Sequence, residues 1–205
     1  MLEELHAQQR SPLIFVISGP SGVGKDTVLE AMKMRHLPLH YVVTATTRPI
    51  REGEVDGKDY FFVTRDQFAE MIENDQLIEY AIVYDDYKGI PRQQVEDALA
   101  SGRDVVLKLD VQGAETIRKL YPEAVLIFLS TQDEQELVDR LKARQTEPPD
   151  NLKLRIATAR QELKQVEEFD YYIVNAHSKL EHTVDVVVSI ITAEHHRSRP
   201  RIIHP

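Results

Sequence analysis

The apolar run Leu13-Ile-Phe-Val-Ile17 leads into Gly19-Pro-Ser-Gly-Val-Gly-Lys25, and this junction constrains the fold more than any other feature of the chain. A buried strand that enters a glycine-rich turn and then a helix is the opening of a phosphate-binding loop in the frame GxxxxGK. The glycines let successive backbone N–H groups face phosphate oxygens, Lys25 reaches the outer phosphates, and the helix N-terminus adds to the positive field. Gly19, Pro20, Ser21, Gly22, Val23, Gly24, Lys25, Asp26 and Thr27 are therefore candidates for holding a nucleotide's phosphates. The residue after the lysine is usually Ser or Thr, whose hydroxyl ligates magnesium; here Asp26 stands there and Thr27 follows. Asp26 and Thr27 are both candidate ligands, and the sequence leaves the choice open. A plain glycine-rich turn beside a solvated lysine is the alternative, and the order strand, loop, helix disfavours it. The nucleophile elbow would need glycine where Val23 stands, and the dinucleotide fingerprint would need glycine where Thr27 stands.

With 205 residues, 42% of them hydrophobic, the chain can bury one substantial core with one or two small inserted lobes. It contains no cysteine, which excludes a disulfide scaffold, a thiol nucleophile and a zinc–cysteine site, and which fits a reducing compartment. Met1-Leu-Glu-Glu-Leu-His6 carries acidic residues and no long apolar stretch, so neither a secretory signal nor a membrane anchor is expected, and the cytoplasm is. A net charge of -9 argues against a general nucleic-acid binder, leaving local arginines to bind any phosphate. The adjacent His195-His196 and the basic Arg197-Ser-Arg-Pro-Arg201 read as a solvated surface tail.

Apolar, β-rich runs at Leu13–Gly19, Tyr41–Thr47, Val105–Asp110, Ala124–Ser130 and Tyr171–Asn175 read as strands, and most of the segments between them have helical periodicity. Helices are expected over Lys25–Arg35, Asp133–Arg144 and Asn151–Glu168, with capping-box spacing at Thr131-Gln-Asp-Glu134. This alternation predicts an α/β fold with a mainly parallel sheet covered on both faces. Between Thr47 and Gln93 the pattern changes to short strands at Asp59–Val63 and Leu77–Tyr84, with a helix over Asp66–Asn74 behind the box Thr64-Arg-Asp-Gln67. This is the signature of a small inserted lobe, placed at 44–91, with the core at 1–43 and 92–205. Arg144-Gln-Thr-Glu-Pro-Pro-Asp150 is polar and proline-interrupted, and suits a lid at about 140–157.

Arg48, Arg51, Glu54 and Tyr60 crowd the entrance to that lobe, and arginine forks with a phenol suit a terminal phosphate. From here the chain resembles the guanylate kinase family, as a single domain over about 12–197. The resemblance rests on Gly19 to Lys25, Thr46-Thr47-Arg48-Pro49, Gly53-Glu54, Gly57-Lys58-Asp59-Tyr60-Phe61, Ile78-Glu79, Asp110-Val-Gln112-Gly113, Arg140-Leu141 with Arg144, Arg155, and Phe169-Asp-Tyr-Tyr-Ile-Val-Asn175. It implies a three-layer P-loop kinase with a nucleotide-monophosphate lobe and a helical lid, with ATP as donor, Mg2+ as cofactor and GMP as acceptor. By the same resemblance, Arg51 and Tyr60 hold the acceptor phosphate and Arg48 bridges to the transferred group. Glu79, Asp110 and Thr44 read guanine, while Arg140, Arg144 and Arg155 cover ATP from the lid side. A carboxylate suits guanine, which alone among the common bases presents adjacent N1–H and N2–H donors. A strand-edge Glu79 and a helix-capping Asp110 are the plainer readings of those residues. No membrane or nucleic-acid partner is implied, and monomer and homodimer stay open.

The chain departs from the family near the site. Asp26 replaces Ser or Thr, Lys108 replaces an acidic residue, and Lys88 and Ile90 replace a tyrosine and a hydroxyl, so that Lys88 becomes a candidate acceptor-phosphate ligand. Ala143-Arg144-Gln145 lacks the lid glycines. A Gly-Lys-Asp loop is also similar to that of the ribose 1,5-bisphosphate phosphokinases, which form the near alternative. A catalytically silent module that binds a phosphopeptide through Arg48, Arg51 and Tyr60 is the alternative from another class.

Overall fold

Every residue of Ile14–Ser18 (β1) is buried, so this strand must lie in the middle of a sheet with both faces covered. The computed structural model, which describes residues 11–83, 85–143 and 149–204, places it there. The main sheet has five strands in the order β2-β7-β1-β8-β9, where β2 is Leu39–Tyr41, β7 Asp104–Lys108, β8 Val125–Ser130 and β9 Tyr171–Val174. All of its pairings are parallel. Leu13, Phe15 and Ile17 face one layer, made by α1 (Lys25–Met34), α5 (Glu134–Ala143) and α7 (Leu180–His195), through Val28, Met32, Leu137, Leu141, Val184 and Val187. Ile14 and Val16 face the other, made by α3 (Arg92–Ala100) and α4 (Val111–Leu120), through Val95, Ala98, Ala114 and Ile117. Each of these large side chains contributes about 1.5–3 kcal/mol by leaving water.

A second sheet, β4-β3-β6-β5, is built from Ala45–Thr46 (β3), Phe61–Phe62 (β4), Leu77–Val83 (β5) and Asp86–Pro91 (β6), with α2 (Arg65–Glu73) packed on it through Phe68. The capping box expected at Thr64 is present: Gln67 N–H donates to the Thr64 hydroxyl at 3.1 Å and Thr64 N–H donates to Gln67 Oε1 at 2.8 Å. Helix α6 (Pro149–Leu163) and a 3-10 turn at Val166–Glu168 follow α5. Among the described residues, no helix is long and apolar enough to cross a membrane.

Several expectations need correction. The strand expected over Tyr41–Thr47 is two strands in two sheets, because Gln94 intervenes. Its Oε1 accepts from Val43 N–H and its Nε2 donates to Val43 C=O, both at 2.9 Å, which removes Val43 from any ladder. The cap of α5 is not Thr131: Asp133 Oδ1 accepts from Glu136 N–H at 2.8 Å, and the Thr131 hydroxyl donates to Asp133 C=O at 2.7 Å. The helix expected to run to Glu168 stops at Leu163. Strand β6 is hidden in the sequence by Gly89 and Pro91; Gly89 is required because a Cβ there would meet Leu77 at 2.9 Å and Phe68 at 3.0 Å. Of the C-terminal histidines and arginines, His196, Arg197 and Arg199 are exposed as expected, but His195 and Arg201 are only partly exposed. His195 closes α7 and contacts Asp104 at 2.8 Å, while Arg201 folds back onto Glu194 at 2.8 Å and Asp170 at 3.2 Å.

Gln94→Ala should lower the unfolding free energy by about 1–3 kcal/mol, since two backbone groups of half-buried Val43 lose their partner. Urea denaturation of the two proteins checks this.

Candidate active site

The phosphate loop is shaped by close approaches that only glycine tolerates. Gly19 has φ 131°, and a Cβ there would lie 2.1 Å from the Leu129 carbonyl oxygen. Gly24, in the left-handed region at φ 92°, caps α1, and a Cβ would come within 2.6 Å of Asn175 Nδ2. Behind the loop, Val23 C=O accepts from Arg140 Nη1 at 3.0 Å and from Asn175 Nδ2 at 2.8 Å. Arg140 also donates to Asn175 C=O at 2.8 Å, and the Thr183 hydroxyl donates to Asn175 Oδ1 at 3.1 Å. From α6, buried Arg155 donates to the Ser21 hydroxyl at 2.8 Å, and Glu162 accepts from Ser21 N–H. The Lys25 ammonium donates to Gly19 C=O and, at 3.0 Å, to Pro20 C=O. Burial lowers its pKa from 10.5 to about 8, against the opposing pull of Glu162, Asp26 and Asp110.

In the small lobe, Arg48 is only 8% exposed. Glu54 holds its guanidinium in a two-pronged pair, with Nη1 to Oε2 at 2.8 Å, and also accepts from Arg51 N–H at 2.9 Å. The Arg48 guanidinium lies 4.8 Å from the centre of the Tyr60 ring, and the Lys108 ammonium lies 4.5 Å from the same centre. Lys108 also donates to Tyr60 Oη at 3.1 Å and to the Asp26 carboxylate. Burial opposes its charge, but Asp26 and Tyr60 outweigh burial and raise its pKa.

Glu79, 5% exposed on β5, sits beside Asp110 at the head of α4. Burial first, and the neighbouring Asp110 charge second, push its pKa from 4.5 up to about 8. Asp110 caps α4, accepting from Gly113 N–H at 2.8 Å. Gly113 leaves room for the acid: a Cβ there would stand 3.0 Å from Glu79 Oε1. Thr44 is buried at the start of the lobe, Lys88 is half-buried on β6, and Ile90 is fully buried in the apolar cluster beneath Glu79.

The fold thus assembles two neighbouring centres from the candidate residues, one around Lys25 with Arg140, Arg155 and, within electrostatic reach, Asp110 beside Glu79, the other around Arg48, Glu54 and Tyr60. Arg144 lies outside the described residues. Lys108 joins the two centres, and sequence reasoning noted it only as a departure; Asn175 and Glu162 also touch the loop, Asn175 having figured only at the end of a stretch shared with the family and Glu162 only within an expected helix. Among the described residues, no group of three or more His, Cys, Asp or Glu is placed to hold a metal. Asp26 has its carboxylate on the Lys108 ammonium, so this residue does not fit a protein-held magnesium ion, whereas Thr27 is exposed and its hydroxyl stays open to one.

A parallel sheet layered by helices, with this loop at the end of its central strand and a small sheet set over it, defines a P-loop kinase fold. A family model described as guanylate kinase matches residues 10–194. Guanylate kinase 2, chloroplastic/mitochondrial, of Oryza sativa subsp. japonica is 51% identical over 194 residues, spanning 94% of this chain and 68% of that protein. The guanylate kinase of Oceanobacillus iheyensis is 42% identical over 183 residues, 89% of this chain and 88% of the other. The crystal structure of guanylate kinase from Anaplasma phagocytophilum superimposes with a TM-score of 0.75 at 31% identity, covering 92% of this chain and 89% of its own. The chain belongs to the guanylate kinase family, a family of nucleoside monophosphate kinases.

Native Glu79 keeps its proton up to about pH 8, whereas in the unfolded chain it releases it near the ordinary 4.5. Its contribution to stability is therefore complete below that lower value and is lost as pH rises through about 8. Glu79→Gln should remove this loss, so its stability advantage over the parent should grow between about pH 5 and pH 9 in denaturation curves.

Proposed function

We propose that the protein transfers the γ-phosphoryl group of ATP to GMP, giving ADP and GDP, as a step of purine nucleotide metabolism. The observation that carries this reading is the buried Glu79 beside Asp110, packed where a side chain at position 113 would stand. That acid faces the requirement of guanine for an acceptor, and ribose 1,5-bisphosphate has no N–H edge to satisfy it. Thr44 completes the base pocket. Arg51, Tyr60 and Lys88 bind the acceptor phosphate, and Arg48, locked by Glu54, reaches toward the group in transit. The loop from Gly19 to Thr27 holds the ATP phosphates with Lys25. Arg155 and, from the segment beyond α5, Arg144 neutralise charge on the donor side. Arg140 acts on ATP through the loop that it braces. A phosphopeptide module would have no use for a phosphate loop supported from behind in this way.

In the reaction, an oxygen of the GMP phosphate bonds to the γ-phosphorus as the bond to the β,γ-bridging oxygen breaks, and the electron pair leaves with ADP. An acceptor phosphate is largely ionised near neutral pH, so positioning and charge neutralisation carry the catalysis and no protein base is required. Magnesium brought in with ATP would supply positive charge beside the outer phosphates.

With GMP, dGMP, AMP, UMP and ribose 1,5-bisphosphate offered separately, ADP production should be confined to the guanine nucleotides; turnover of the sugar bisphosphate would replace this reading with the sugar kinase. Lys25→Ala should lower kcat at least about 100-fold while keeping the parent's melting temperature, as read by steady-state kinetics and thermal denaturation. Glu79→Gln should lower kcat/KM for GMP about 10- to 100-fold, because an amide turns a donor toward a donor edge. Guanine should favour the ionised acid, so GMP binding near neutral pH should release a proton from Glu79. Calorimetry in buffers of different ionisation enthalpy should detect that release in the parent and not in Glu79→Gln.

A further inference from the structure

Lys108 closes β7 at the carboxyl end of the parallel sheet, in register with Ile17 of β1, where open α/β sheets place their ligands. Its side chain is 19% exposed, and its ammonium has two partners from the two centres: Asp26, in the first turn of α1, and Tyr60, in the small lobe. An ammonium has three N–H donors, which suits it to take a phosphate oxygen as well. The Arg48 guanidinium lies 4.8 Å from the centre of the same aromatic ring. Asp26 stands where the loop motif carries a metal-ligating hydroxyl, yet its carboxylate receives this ammonium. A divalent ion on that carboxylate would stand next to a like charge, and the two would oppose each other strongly in a half-buried place.

We propose that Lys108 is a protein-borne cation of the reaction, contacting the phosphoryl group as it passes between nucleotides, and that Asp26 is its positioning counter-ion and not a metal ligand. The nature of the phosphates rests on the GMP kinase reading. Charge in such a transfer spreads over the equatorial oxygens of the moving group, and a cation already in place beside the line of transfer stabilises it without reorganisation. Lysine suits the task because its ammonium is a compact charge on a flexible stem, able to follow the group while Asp26 keeps it near the loop. Asp26 and Lys108 are thus one unit: a carboxylate alone would repel the phosphates, and an untethered lysine would be less well placed.

The test combines kinetics with metal binding read independently of turnover. Lys108→Met should lower kcat about 100-fold and weaken ATP binding in calorimetry, with an unchanged melting temperature, and Lys108→Arg should recover most of the loss. Asp26→Asn should lower kcat about tenfold, and the double variant should be no slower than Lys108→Met alone, as expected for residues acting as one unit. The Mn2+ affinity of the enzyme–ADP complex, titrated by electron paramagnetic resonance, should stay within about twofold of the parent in Asp26→Asn, whereas loss of a metal ligand would weaken it about tenfold or more. Parent-like kcat and ATP affinity in Lys108→Met, or that tenfold weakening in Asp26→Asn, overturns the proposal. If the parent protein does not phosphorylate GMP, the acceptor reading fails alone, and the manganese titration and the ATP affinity of Lys108→Met still decide the roles of Asp26 and Lys108.

Discussion

A phosphate loop that turns its N–H groups inward must have its carbonyls satisfied from outside, and the rest of the site hangs on how this is done at Val23. That carbonyl accepts from both Arg140 and Asn175, residues from α5 and from the end of β9. Asn175 is itself held by Thr183 of α7 and fills the space that a side chain at Gly24 would need. A buried acceptor without partners would cost about 1–3 kcal/mol, and here it would also let the loop relax away from the shape that binds phosphate. The loop is local in sequence, but its conformation is enforced by three distant elements.

Charge is organised in the same way. The chain is acidic overall, at -9, while Lys25, Arg48, Lys108 and Arg155 converge on the two neighbouring centres. Such a contrast concentrates the favourable field for anionic ligands in one place and keeps it weak elsewhere. Each cation is held by a partner: Glu54 for Arg48, Asp26 for Lys108, the Ser21 hydroxyl for Arg155 and loop carbonyls for Lys25. On the proposed function, phosphates therefore meet side chains that are already ordered, which reduces the entropy lost on binding.

The parallel sheet and the phosphate loop were legible in the sequence because each has a local signature, a continuous apolar strand or glycines at fixed spacing, and the candidate site residues were drawn from an arginine cluster and from the family resemblance. The elements that escaped have causes far away in the chain. Strand β6 contains Gly89 and Pro91, and only its packing against Phe68 and Leu77 makes it a strand. Tyr41–Thr47 looks like a single strand until Gln94, far along the chain, takes both backbone groups of Val43. Asp26 offered two readings, metal ligand or neighbour of one, and its actual partner Lys108 is 82 residues away. Asn175 was visible as the end of a strand and of a stretch shared with the family, but its work on Val23 depends on a contact 152 residues long.

The bonds between Val43 and Gln94 also say something about construction. Val43 stands just before the small sheet, which begins at Ala45, and Gln94 follows closely after its last residue, Pro91, so the chain leaves the main body and returns at nearly the same point. A segment whose two ends meet is an insertion in the architectural sense, and such segments can be lengthened, shortened or exchanged without altering the register of the sheet they leave. The order β2-β7-β1-β8-β9 is closed without any strand from residues 45–91. On the proposed function, the small sheet that carries Arg48 and Tyr60 is therefore replaceable in a way that the phosphate loop, braced from three distant elements, is not.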